Sequence, residues 1–225
     1  MPAARPIIDL TGGGTMRNSR QRAIDTAERL FRSQGYAATG LTQILKESGS
    51  PKGSFYFHFP DGKHELALAT LESYGQRVDR SIRSIADEHA GDPIGFVRAL
   101  ARFVAREMEG SGWSLGCLNH KLAGELVPAD RAITEATAIV YQTWVARIAQ
   151  VLRRVEGATR KDADRLAMSL LAGLAGARGL ARVYRSPEPF EAVAHGIIES
   201  IRALSAARRS PKAPGSHRKT HPPKV

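Results

Sequence analysis

Only one cysteine occurs in the 225 residues, Cys117, so an internal disulfide and a cysteine-rich zinc site are both excluded. Aromatic residues are scarce at 6%, which leaves any core to aliphatic side chains for the most part. No run of 18 apolar residues is present, and with it goes the usual sequence sign of a membrane span. No segment shows the strict alternation of a half-buried strand, so the expected fold is all-α. Chemical motifs are missing as well: there is no phosphate-binding glycine loop, no HExxH pair and no nucleophile elbow. His58, His64, His89, His120 and His195 never pair at ligand spacing, so neither a metal nor a cofactor is expected. A hydrolase built on Cys117 and a histidine would match no motif, and an enzyme is not the expectation. The opening MPAARPIIDLTGGGT lacks the long apolar stretch of a secretory signal, which points to the cytoplasm.

What the chain does have is positive charge. The net charge of +11 favours a polyanionic partner, and 42% hydrophobic content with this length supports a real core. Six bases and no acid follow Ala207: Arg208, Arg209, Lys212, Arg218, Lys219 and Lys224. A second concentration lies in residues 17–52, where seven bases face Asp25, Glu28 and Glu47. The rest of the chain is nearly balanced.

The second basic region leads into TGLTQILKESGSPKGSFYFHFPDGK, Thr39 to Lys63. Leu41, Ile44 and Leu45 share one helical face. Gly49 can take the left-handed conformation that stops a helix. Ser50 is a candidate N-cap and Pro51 suits the first position of a second helix. Two helices joined so closely make a helix-turn-helix over about 40–59, whose second helix would enter a DNA major groove. Phe55 and Phe59 should pack inward. That leaves Lys52, Gly53, Ser54, Tyr56, Phe57 and His58 for phosphates and base edges, with Thr42 on the preceding helix. A surface helix pair that binds nothing is the plainer alternative.

Gly35-Tyr36, Thr39, the block Pro51 to Phe59, then Lys63 and Glu65-Leu66 together resemble the N-terminal domain of the tetracycline-repressor (TetR) family. The resemblance covers about residues 17 to 77. It implies a homodimeric, ligand-responsive transcription factor on a palindromic double-stranded operator. The full set of expected DNA contacts is Thr39, Thr42, Lys52, Gly53, Ser54, Tyr56, Phe57, His58 and Lys63. Two departures stand out: Gly40 where a Ser or Thr usually caps the helix, and one extra residue in Pro60-Asp61-Gly62.

Around this head, residues 1–16 read as a disordered arm, 78–207 as an effector-binding and dimerisation domain, and 208–225 as a disordered basic tail. Helices are expected from about Ser19 to Gly35 and from Lys63 to about His89. Others should cover Ile94 to Met108, Leu118 to Leu126, Ala129 to about Val155 and Lys161 to Tyr184, with a last one from Pro187 onward. Gly173, Gly176 and Gly179 in one helix suggest close helix approach. With Ile197 and Ile201 they are the candidate dimer interface; intrachain packing is the competing explanation.

Gly116-Cys117-Leu118, Lys121-Leu122-Ala123 and Glu125, together with Arg185 to Pro189 and Ala194-His195, resemble the branch of that family answering electrophiles and acrylate-like molecules. Just before a helix and near Lys121 and His120, Cys117 is a candidate thiolate sensor. A small buried apolar residue is the plain alternative. A conventional pocket would draw on Tyr74, Phe103, Met108, Trp113, Tyr141, Trp144 and Met168, and Glu125 could meet a polar ligand group. A non-specific basic DNA binder remains the alternative to a sequence-specific regulator.

Overall fold

The computed structural model describes residues 12–209, with side chains for residues 19–207. Nine α-helices and no strand lie among the described residues, so the fold is all-α. They are α1 (Gly12–Gln34), α2 (Leu41–Ser48), α3 (Lys52–His58), α4 (Lys63–Glu88), α5 (Pro93–Gly110), α6 (Leu118–Leu126), α7 (Arg131–Leu152), α8 (Arg160–Tyr184) and α9 (Glu188–Arg209).

α1 begins at Gly12, ahead of the expected Ser19. Once a helix is nucleated, each added residue closes one more hydrogen bond, so the glycines do not force the break that their composition suggests. Residues 1–11 of the expected arm and 210–225 of the expected tail lie outside the described residues. Gly35, at φ +95°, ends α1 in a conformation that side chains resist.

Ile24, Leu30 and Phe31 of α1 close over Ile44, Phe55, Phe59 and Leu66, all buried. Each such side chain contributes roughly 1.5–3 kcal/mol, enough to fix α2 and α3, short helices that would not persist alone. Gly49, at φ 60°, makes the turn, with the Ser50 N–H donating to Leu45 O at 3.2 Å. Ser50 is not the cap of α3. It is buried, and its hydroxyl bonds to Ser19 O (3.3 Å), while Pro51 takes the N-cap position one residue later. The Ser50 side chain thus fastens α3 to α1.

α4 runs without a break through the expected boundary between 77 and 78, so reading and regulatory halves share a helix. It packs on α7; α7 packs on α8, α8 on α9, and α9 on α5. The α4–α7 seam is tight. Val140 Cγ2 lies 2.8 Å from where a Cβ on Gly75 would be, and Trp144 Nε1 donates to Gly75 O at 3.1 Å.

By length and composition α8 is long and apolar enough to cross a membrane. Here it buries Leu166, Leu170 and Leu174 inward and leaves Met168, Leu180, Val183 and Tyr184 exposed. The three glycines of α8 do not act together. A Cβ on Gly173 would come within 2.7 Å of Val193 on α9, so this glycine serves packing inside the chain. Gly176 and Gly179 face open space. Ile197 and Ile201 of α9, expected at the interface, pack into the chain's own core and offer little surface to a partner.

Candidate nucleic-acid interface and effector cavity

The short α3 presents its outer face unobstructed. Lys52 and Gly53 are exposed at its start, Tyr56 is 41% exposed and Phe57 69%. Beneath them Phe55 and Phe59 meet at 5.2 Å between ring centroids, anchoring the helix. The His58 ring lies 5.3 Å from Phe57 and is partly covered. Thr42 is exposed on α2. These groups form one surface of cation, phenol and ring, the chemistry that meets phosphate and base edge.

Three expected contacts are turned to other work. Thr39 is buried, and its hydroxyl donates to Gly35 O at 2.6 Å, shaping the turn before α2. The Lys63 ammonium donates to Tyr36 O (3.1 Å) and Thr39 O (3.0 Å) and lies 4.1 Å from the Tyr36 ring centroid. Burial lowers its pKa from the ordinary lysine value, with Glu125 acting against that. The Ser54 hydroxyl reaches Ser19 Oγ at 3.2 Å. Thr39 is thus turned inward, while Lys63 and Ser54, both part-buried, also help to position the reading helices.

A cavity of about 50 Å³ lies between α4, α5, α7 and α8. Its walls include Tyr74, Phe103, Cys117, Tyr141 and Trp144, which the sequence singled out, together with Glu107 and Arg178, which it did not. Wider depressions between α5 and α9 (about 420 Å³) and between α4 and α7 (about 450 Å³) open at the surface and miss the cysteine. Tyr141 stands edge-on to Trp144 at 5.9 Å. Burial pushes the Tyr141 phenol up to about 12, with the Cys117 thiol adding to it.

Other expected members are elsewhere. His120 is exposed on α6 and does not line the cavity. Trp113 sits in the turn after α5, and its carbonyl accepts from Arg182 at 3.2 Å. Met168 is on the outer face of α8, and Met108 is buried without lining the cavity. Glu125 meets no pocket: its carboxylate accepts from the backbone N–H groups of Tyr36 (3.0 Å) and Ala37 (2.7 Å), holding the head.

The missed residues form an ionic chain beside the cavity. Arg178 pairs with Glu107 at 2.8 Å, and Glu107 lies 2.8 Å from Arg32 Nη2. Arg32 pairs with Glu28 at 3.1 Å, and Glu28 accepts from Arg77 at 2.6 and 2.5 Å. Burial acts to raise the Glu107 carboxyl, but Arg32 and Arg178 outweigh it and hold its pKa below the usual value. One sign was present in the sequence: Arg178 continues the helical stripe Leu171, Leu174, Ala175, where a charge demands a partner.

A helix-turn-helix head continuous with an all-helical second half is the architecture of a DNA-binding regulator. Residues 23–70 match the family described as bacterial regulatory proteins, tetR family, and residues 93–196 the C-terminal domain of LmrA/YxaF-like transcriptional regulators. The uncharacterised HTH-type regulator YxaF of Bacillus subtilis is 31% identical over 82% of this chain and 96% of its own length. The HTH-type regulator LmrA of the same species is 33% identical over 61% of this chain and 72% of its own. The crystal structure of regulatory protein TetR from Rhodobacter sphaeroides superposes with a TM-score of 0.73, 27% identity and coverage of 80% and 96%. The chain belongs to the TetR family of transcriptional regulators and is a DNA-binding protein, not an enzyme.

Proposed function

We propose that two copies of the chain bind a palindromic operator through paired α3 helices, repress transcription there, and are released by a small molecule that enters the cavity between α4, α5, α7 and α8. The observation that carries this reading is the exposure of Tyr56 and Phe57 on a seven-residue helix whose Phe55 is buried beneath them. Aromatic side chains left in water beside Lys52 and Gly53 suit a duplex groove. Pairing of two chains is supported by the uncovered face of α8, where Leu180, Val183 and Tyr184 stay exposed next to the open Gly176 and Gly179.

A second reading of the same cavity is favoured by Cys117 standing in its wall: the effector is an electrophile that adds covalently to the Cys117 thiolate. Selecting a preferred duplex from a random pool tests the central claim, and screening compounds for release from that duplex finds the effector. Leu180→Glu with Val183→Glu should give a monomer by sedimentation equilibrium and abolish preferred binding. Binding that falls uniformly with salt and shows no preferred site would replace this reading with non-specific association. Cys117→Ser should bind the operator normally; its release by an electrophile to the same extent as the parent would end the covalent version.

A further inference from the structure

α6 is tied to the head at both ends. At its far end Glu125 holds the turn before α2, as described above. At its near end Gly116 and Arg32 of α1 exchange hydrogen bonds, the Gly116 N–H to Arg32 O (3.0 Å) and Arg32 Nε to Gly116 O (2.7 Å). Arg32 belongs to the reading half by sequence, yet its side chain is only 4% exposed and packs against the regulatory half. Its guanidinium carbon lies 5.1 Å from the Tyr74 ring centroid, and its Nη2 faces Glu107. Tyr74 and Glu107 are cavity walls, and Gly116 directly precedes a third, Cys117.

We propose that Arg32 is the positioning residue through which the cavity's state reaches the DNA-reading helices. A guanidinium is a planar fork of fixed geometry, and it cannot follow two walls that move apart. Widening the cavity displaces Tyr74, Glu107 or Gly116, breaks the fork's fit and frees the C-terminal end of α1. α1 carries the apolar floor on which α2 and α3 rest, so their aim changes with it. Linkage makes the coupling reciprocal: a head held by operator must hold the cavity closed. This inference rests on the proposal that the head binds an operator and the cavity takes an effector, but its test needs no known effector.

Cys117 is the single thiol in the chain and is buried, so its rate of alkylation by N-ethylmaleimide reports how often the cavity opens. In the full-length protein, saturating operator should slow that rate about fivefold or more relative to a scrambled duplex. In Arg32→Met the ratio should fall to about one. Glu107→Gln keeps the side-chain shape and removes the charge facing Arg32, so it should lower the ratio as well; it decides the matter if Arg32→Met does not fold by circular dichroism. An operator effect that persists in Arg32→Met, or in Glu107→Gln when that variant decides, overturns the assignment of Arg32 alone. A ratio of one in the unaltered protein overturns it together with the proposed link between cavity and operator, and leaves operator binding itself standing.

Discussion

The outer face of α3 and the seam between α1, α5, α6 and α8 use charge in opposite ways. On α3, Lys52 is exposed beside bare aromatic rings. In the seam, Arg32 and Glu28 are buried and every charge faces another. A group meant for an outside partner must pay little to change its surroundings, so it stays in water. A group that fixes two halves against each other gains from low dielectric, provided its partners are complete.

Removing a seam partner is therefore the harshest way to break that contrast. Glu28→Ala leaves Arg32 and Arg77 close together without their carboxylate, and should lower stability by about 3–5 kcal/mol, read from the urea midpoint. Tyr56→Ala should do the reverse: an unchanged midpoint and an intact dimer, with operator affinity reduced by about 1–3 kcal/mol for each of two copies, read by fluorescence anisotropy. If Tyr56→Ala unfolds the head instead, the division between exposed reading groups and buried fixing groups is wrong. Glu125→Ala sits between the extremes. Its two bonds to the Tyr36 and Ala37 amides lie at the surface, so the cost should be about 1–2 kcal/mol, seen as faster hydrogen exchange at those two amides.

The smallest effect is one of pH. A tyrosine in the unfolded chain ionises near 10, whereas burial pushes Tyr141 up to about 12. The folded chain then holds the proton more tightly, and the stability this supplies is intact below roughly pH 10. It declines as pH rises from there through the folded value. Tyr74, raised by burial in the same direction, adds to the slope. Tyr141→Phe should flatten part of the alkaline fall in urea midpoints, and an unchanged slope would mean that the phenol is wetter than the cavity wall implies.

Which parts were legible follows from the range of the forces involved. α2, its Gly49 stop and α3 depend on residues within a turn or two of one another, and the pattern of Leu41, Ile44, Phe55 and Phe59 sufficed. The cap shifted by one residue because Ser50 found Ser19, which lies 31 positions away. Arg32 reaches Gly116 over 84 positions and Glu125 reaches Tyr36 over 89, and no local pattern encodes either meeting. The glycines of α8 misled for a geometric reason. Steps of three residues turn back about 60° each on an α-helix, so Gly173, Gly176 and Gly179 fan across too wide an arc to share one neighbour.

The unbroken α4 also limits how such a molecule can be rebuilt. One residue inserted between Arg77 and Val78 would lengthen the helix by about 1.5 Å and turn everything beyond it by about 100°. Arg77 would stay in phase with Glu28, and Gly75 with Trp144, while Asp79 lost its register with Arg147 of α7. Grafting this head onto another regulatory half is thus a problem of helical phase, and a junction chosen by sequence alignment alone must still count residues along one continuous screw.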